Sequence, residues 1–222
     1  MRYTEIAWDF DGTLYCSYPH LVRAMQKAIR MFGYDAEEEE INRYFRINTG
    51  VVLRHYAPLC GCTPEQLFFW YKKQDRENMD DVTLYPGIKD LLKDIVAAGG
   101  RNHLCTNRAA AEAEQYLIRD GIREYFDCIS GMTPGSKPKP APDLVVRILE
   151  HTGASPDQLI MIGDRELDHS AAHAASCAGC FFDPDGYLQD RPQTEYFAPS
   201  LEALRRIILT ESLNGRSPHT ME

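Results

Sequence analysis

Two aspartates, Asp9 and Asp11, stand in the segment Trp8-Asp9-Phe10-Asp11-Gly12-Thr13, directly after the apolar run Ile6-Ala7-Trp8. Carboxylates this close repel one another unless solvent or a cation screens them. Further along the chain lie Thr106-Asn107-Arg108, then Lys137-Pro138-Lys139-Pro140-Ala141-Pro142-Asp143, then Gly163-Asp164-Arg165-Glu166-Leu167-Asp168. Together they form an inventory for phosphoryl transfer. Asp9 and Asp164 are hard oxygen ligands of the kind that hold Mg²⁺, and the ion would neutralise carboxylates that otherwise repel. A carboxylate also serves as a nucleophile, forming an aspartyl-phosphate. Asp11 is close enough to protonate a leaving oxygen and then deprotonate water. Thr106 is placed to hydrogen-bond a phosphate oxygen at a helix start, with Asn107 and Gly12 as further phosphate-binding positions. A lysine supplies positive charge for the transition state.

Such groups must be brought together by a scaffold. Apolar runs at Thr4 to Asp9, Asn102 to Thr106, Asp127 to Ser130, Leu159 to Gly163 and Gly179 to Phe182 read as buried strands. Amphipathic helical stretches alternate with them. One starts at Pro86 and stops at Gly99-Gly100, one runs from Ala109 to Asp120, one leads to Gly153, and one is capped by Ser200. The alternation predicts a parallel α/β sheet of the Rossmann-like kind, with helices on both faces. In such sheets ligands bind beyond the carboxyl ends of the strands, and three of these strands end in the polar residues above.

Residues 15–83 break the alternation, because they read as helix throughout. Pro19 to Phe32 carries an apolar stripe, Asp35 is placed to cap a second helix, and Thr63-Pro64-Glu65-Gln66 is a capping box. This predicts a helical cap domain at 15–83, inserted into a core built from 1–14 and 84–222. The tail from Asn214 reads as frayed.

The 222-residue chain is 44% hydrophobic and 26% charged, ordinary values for a globular protein. A formal net charge of −9 without a basic stripe argues against a nucleic-acid partner. No run approaches the length of a membrane helix, and no secretory signal is read at the N-terminus. The seven cysteines are scattered, which suits a reduced, cytoplasmic protein with buried thiols. Cys60-Gly-Cys62 is tight for zinc and has no histidine at finger spacing, and Cys177 and Cys180 read as plain thiols too. His169 and His173 share one helix face at metal-binding spacing, but read as packing or surface residues.

The ordered set resembles the haloacid dehalogenase-like hydrolase superfamily over nearly the whole chain. "DFDGT", "LCTN", "KPKPAPD" and "GDRELD" are similar to its four motifs, in the same order. The helical insertion lies where one subgroup, which includes phosphoglycolate-phosphatase-like and β-phosphoglucomutase-like proteins, carries its cap. The resemblance implies Asp9 as nucleophile, Asp11 as acid and base, and magnesium held by Asp9, the Asp11 carbonyl and Asp164. It favours Lys139 over Lys137 as the catalytic lysine, because Lys139-Pro140-Ala141-Pro142-Asp143 runs straight into a helix. Asp168 is expected either to orient that lysine or to cap the following helix. Arg108 is expected to be a phosphate or substrate contact, or a solvated first-turn residue.

The resulting expectation is a Mg²⁺-dependent phosphatase for a small phosphorylated metabolite. A phosphosugar mutase is the alternative on the same fold. The cap is expected to supply selectivity through His20, Arg46 and Thr49, and to move as a lid hinged near Leu14 to Ser17 and Val82 to Pro86. The sequence leaves monomer and dimer open.

Overall fold

A computed structural model describes residues 1–77, 79–188 and 194–210. The tail from Asn214 lies outside these described residues. The chain divides into two compact units, Met1–Leu14 with Leu84–Glu222, and Tyr15–Thr83.

In chain order the elements begin with β1 (Glu5–Trp8), β2 (Tyr15–Cys16), α1 (Tyr18–Arg30), α2 (Glu38–Ile47), α3 (Thr49–Leu59), α4 (Pro64–Glu77) and β3 (Thr83–Leu84). They continue with α5 (Ile88–Ala97), β4 (Arg101–Ala109), α6 (Ala110–Arg119), β5 (Phe126–Met132) and α7 (Asp143–Thr152). The last are β6 (Leu159–Gly163), α8 (Glu166–Ala174), β7 (Ala178–Phe182), β8 (Tyr196–Ala198) and α9 (Leu201–Thr210).

The core sheet has six strands in the order β5-β4-β1-β6-β7-β8, all parallel. All four residues of β1 are buried, as expected of a central strand covered on both faces. Its side chains alternate. Ala7 joins Cys105, Met161, Leu144, Ile148 and Ala171 in a cluster that packs α7 and α8 onto one face. Trp8 points to the other face, where its indole N–H donates to Asn102 Oδ1 at 3.0 Å. Asn102 in turn donates to the carbonyl of Leu92 in α5 at 3.2 Å. Each fully buried large aliphatic or aromatic side chain contributes about 1.5–3 kcal/mol of transfer free energy, so these layers hold the strand ends in place.

The register matters for the chemistry. Trp8 lies opposite Leu104 of β4 and Ile162 of β6. The residues that follow these strands therefore emerge at one edge. From β1 the chain builds outward through β4 to β5, and then crosses back to β6. This places a switch point between β1 and β6, where such sheets bind ligands.

The inserted unit has its own apolar interior. Leu21, Met25 and Ile29 of α1 pack with Ile41 and Phe45 of α2, Val52 and Tyr56 of α3, and Leu67 and Tyr71 of α4. The capping box forms: the Gln66 amide donates to Thr63 Oγ1 at 3.3 Å, and the Thr63 amide donates to Gln66 Oε1 at 2.9 Å. Asp35 does not cap α2. That helix starts at Glu38, and Asp35 instead accepts from Arg30 Nε at 2.8 Å. Short strands β2 and β3 pair with one another.

Candidate active site

Asp9 follows β1 immediately and is 1% exposed. Its amide donates to the Ile162 carbonyl at 2.9 Å, so the sheet ladder continues through it and fixes its backbone. The chain then turns sharply. Gly12 has φ of +77°, in the left-handed region that a side chain disfavours.

Lys139 reaches Asp9 from the Pro-rich loop. Its ammonium lies 2.8 Å from Asp9 Oδ1 and 2.5 Å from Asp168 Oδ1, and it donates to the Cys105 carbonyl at 2.7 Å. Three acceptors match the three donors of an ammonium. That match matters, because an unpaired buried charge costs several kcal/mol. Burial works against the charge on Lys139, yet Asp168 and Asp9 outweigh it and hold the ammonium above its usual range. Burial, and then the negative charge of Asp168, push the Asp9 carboxyl upward. Lys137 is exposed. Asn107 engages the backbone of Lys139. Its Nδ2 donates to the Lys139 carbonyl at 3.1 Å, and its Oδ1 accepts from the Lys139 amide at 2.8 Å.

Asp164 follows β6 and is 6% exposed. Asp168 reaches both Lys139 and the start of α8. One oxygen faces Lys139, while Oδ2 accepts from the Arg165 amide at 3.1 Å at the start of α8. Gly163 makes this possible: a Cβ there would lie 2.4 Å from Asp168 Cγ. Arg165, which the sequence reading left without a role, sends Nη2 to Asp9 Oδ2 at 3.3 Å, and its Nε lies 3.7 Å from Asp164 Oδ1.

Oxygens of Asp9, Asp164 and Asp168 lie within 4.8 Å of one another. Lys139 and the start of α8 take Asp168. Asp9, which also faces Lys139 and Arg165, and Asp164 form a buried pair of hard oxygen donors, and this donor set suits Mg²⁺.

Asp11 is held by Arg108 rather than by solvent. Arg108 Nε donates to Asp11 Oδ1 and Oδ2 at 3.1 and 2.9 Å, and Nη2 donates to Oδ1 at 2.9 Å. Arg108 is therefore neither solvated nor at a helix start; it lies inside β4. Thr106 also sits within β4, which extends to Ala109, and its Oγ1 accepts from the Arg108 amide at 3.1 Å. The free amides of α6 begin four residues later, at Ala110.

The residues singled out in the inserted unit are more dispersed. His20 is buried, and its Nε2 lies 2.9 Å from the Asp75 carbonyl and 3.1 Å from Asp75 Oδ1. The Arg46 guanidinium stands 3.8 Å from the centre of the Tyr18 ring. Thr49 begins α3, which Asn48 caps by accepting from the Val51 amide at 3.0 Å. His169 and His173 do not converge on a metal. His169 stacks on Phe181 at 4.6 Å, and His173 Nε2 pairs with Glu195 at 3.0 Å. All seven cysteines are free thiols.

This fold and this buried set are accompanied by matches to known proteins. The haloacid dehalogenase-like hydrolase family matches residues 6–181, and the chain belongs to that family. A phosphoglycolate phosphatase of Vibrio parahaemolyticus serotype O3:K6 (strain RIMD 2210633) is 28% identical over 217 residues, covering 91% of this chain and 95% of its own. One from Vibrio cholerae serotype O1 (strain ATCC 39315 / El Tor Inaba N16961) is 31% identical over 185 residues, covering 78% and 80%. A crystal structure described as a predicted phosphoglycolate phosphatase from Haemophilus somnus 129pt superposes with a TM-score of 0.79 at 20% identity, covering 93% of this chain and 98% of that one. The chain is thus an enzyme of the hydrolase class, and its named relatives are phosphatases. Among the described residues, no helix is long and apolar enough to cross a membrane.

Proposed function

We propose that this chain is a Mg²⁺-dependent cytoplasmic phosphatase, which hydrolyses a small phosphorylated metabolite through an aspartyl-phosphate on Asp9. The observation that carries the reading is the Lys139 ammonium, fully buried and shared between Asp9 and Asp168 beside Asp164. A charge is placed this expensively where a reacting anion must be stabilised.

In the first step Asp9 attacks phosphorus, the ester P–O bond breaks, and Asp11 donates a proton to the departing oxygen. In the second, Asp11 takes a proton from water. The resulting hydroxide attacks phosphorus, and phosphate leaves with Asp9 restored. Lys139 offsets charge on the phosphoryl oxygens in both steps. Thr106, Asn107 and Gly12 line the phosphate position. Asp9, Asp164 and the Asp11 carbonyl would hold Mg²⁺, which supplies charge neutralisation for the phosphoryl group when bound.

The named relatives favour transfer to water over transfer back to a sugar. They also make phosphoglycolate the first substrate to test. Arg46 and Thr49 of the inserted unit are proposed to select the substrate, Arg46 through an anionic group. The test is release of inorganic phosphate from phosphoglycolate and from a panel of sugar phosphates with Mg²⁺ present. Net phosphate release supports the reading. Conversion of one sugar phosphate to its isomer without phosphate release would favour the mutase.

A further inference from the structure

Arg108 is built more firmly than a contact to Asp11 alone requires. Its side chain is 7% exposed. On one side it makes the three hydrogen bonds to Asp11 described above. On the other, Nη1 donates to Glu112 Oε1 at 2.8 Å, in the first turn of α6. The guanidinium carbon Cζ lies over the Phe10 ring at 4.9 Å from its centre and over the Tyr116 ring at 5.7 Å. Those two rings brace one another edge to face at 5.2 Å. The guanidinium is thus fixed by a carboxylate and two aromatic faces before Asp11 is considered.

Asp11 sits on a turn beside a left-handed glycine. Its carboxylate has two side-chain torsions, and its backbone alone does not fix where the oxygens lie. Arg108 supplies what is missing. A planar guanidinium fork fixes both distance and direction, which a lysine ammonium does not. We infer that Arg108, braced by Glu112, Phe10 and Tyr116, is the positioning residue for Asp11, holding its carboxylate in the orientation needed for proton transfer to and from the reacting oxygens.

The inference rests on the reading of Asp11 as acid and base. It predicts a loss that depends on the substrate's need for a proton. An alkyl phosphate releases a strongly basic alkoxide and needs the acid, whereas p-nitrophenyl phosphate releases a stable phenolate and does not. Phosphoryl transfer to the enzyme should therefore suffer unequally in Arg108→Met.

The experiment compares wild type, Arg108→Met, Arg108→Lys, Asp11→Asn and the double variant Asp11→Asn/Arg108→Met. Single-turnover rates are read with phosphoglycolate and with p-nitrophenyl phosphate. Arg108→Met should lose about 10- to 100-fold on phosphoglycolate, part of the 10²–10⁴ that general acid catalysis typically contributes. It should lose less than about threefold in the first turnover of p-nitrophenyl phosphate, with KM little changed. Arg108→Lys should recover little, and added guanidinium at non-denaturing concentration should restore part of the loss in Arg108→Met. In the Asp11→Asn background, Arg108→Met should cost nothing further, because residues acting as a unit are not additive.

Equal losses on both substrates, or a large rise in KM, would mean that Arg108 contacts the substrate and would overturn the inference. So would full additivity with Asp11→Asn. If Arg108→Met does not fold, the same comparisons are read from Arg108→Lys and from Glu112→Gln, which loosens the guanidinium without removing its charge. Wild-type behaviour in both would overturn the inference. If Asp11→Asn itself leaves both substrates unaffected, the acid–base reading fails instead, and the two failures are distinguished.

Discussion

Asn107 grips the backbone of Lys139 at both ends, accepting from its N–H at 2.8 Å and donating to its carbonyl at 3.1 Å. Thirty-two residues separate the two. The lysine that faces Asp9 is therefore anchored to the end of β4, not left to a flexible loop. Lys137, two residues earlier, is exposed. Lys139→Ala should lower kcat/KM by orders of magnitude, and Lys137→Ala by less than about tenfold. Asn107→Leu should fall between them, because the ammonium remains but its backbone anchor is lost. Steady-state kinetics on one substrate ranks the three. Lys137→Ala as the most damaged would reverse the assignment.

If the carboxylate pair of Asp9 and Asp164 holds Mg²⁺ as proposed, activity depends on the metal. EDTA should abolish phosphate release and Mg²⁺ should restore it. Ca²⁺ should restore little, because it accepts looser and higher coordination than in-line transfer tolerates. Arg165 lies against both carboxylates and would repel an entering cation. Arg165→Gln should therefore lower the melting temperature without metal and tighten Mg²⁺ binding measured by calorimetry. Weaker binding in this variant would show that Arg165 builds the metal site rather than competes for it.

Much of this was legible in the sequence, because the four motifs sit at strand ends and the strands are short apolar runs. What escaped has physical causes. The helix α3 contains Gly50 and Pro58, both poor helix formers, and only the Asn48 cap marks its start. Strand β8 is three residues long and lies at the sheet edge, too short for a periodic signal. Arg108 and Arg165 looked indistinct because their partners are remote. Asp11 is 97 residues from Arg108, and Asp9 is 156 from Arg165. Only the Arg108–Glu112 pair, at i,i+4, carried a local hint.

Acid should destabilise the core through His169. Burial pushes its imidazole down to about 4, and neither ring nitrogen has a hydrogen-bond partner among the described residues. An unfolded histidine titrates near 6.5. Above that value the ring is neutral in both states and contributes no pH dependence. As pH falls from about 6.5 toward about 4, the unfolded chain takes up a proton that the native ring refuses. Stability is then lost, by up to about 3 kcal/mol on the linkage relation. The difference in unfolding free energy between wild type and His169→Gln should shift in favour of the variant across that window. A difference that stays constant with pH would contradict this.

Substrate choice should respond to the inserted unit. Arg46→Ala and Thr49→Ala are expected to change the ranking of phosphometabolites, with smaller effects on p-nitrophenyl phosphate, whose leaving group carries no second anion. Specificity constants across the panel measure this. An unchanged ranking in both variants would remove these residues from substrate selection.

In the proposed reaction Asp9 carries the phosphoryl group. This role is tested most directly by mixing enzyme, Mg²⁺ and phosphoglycolate, quenching with acid within a turnover, and mapping the phosphorylated peptide by mass spectrometry. A phosphoryl group is expected on the peptide containing Asp9 in wild type, with neither phosphopeptide nor turnover in a folded Asp9→Asn. Near-wild-type phosphate release by Asp9→Asn, or a phosphoryl group on another residue during turnover, would contradict it.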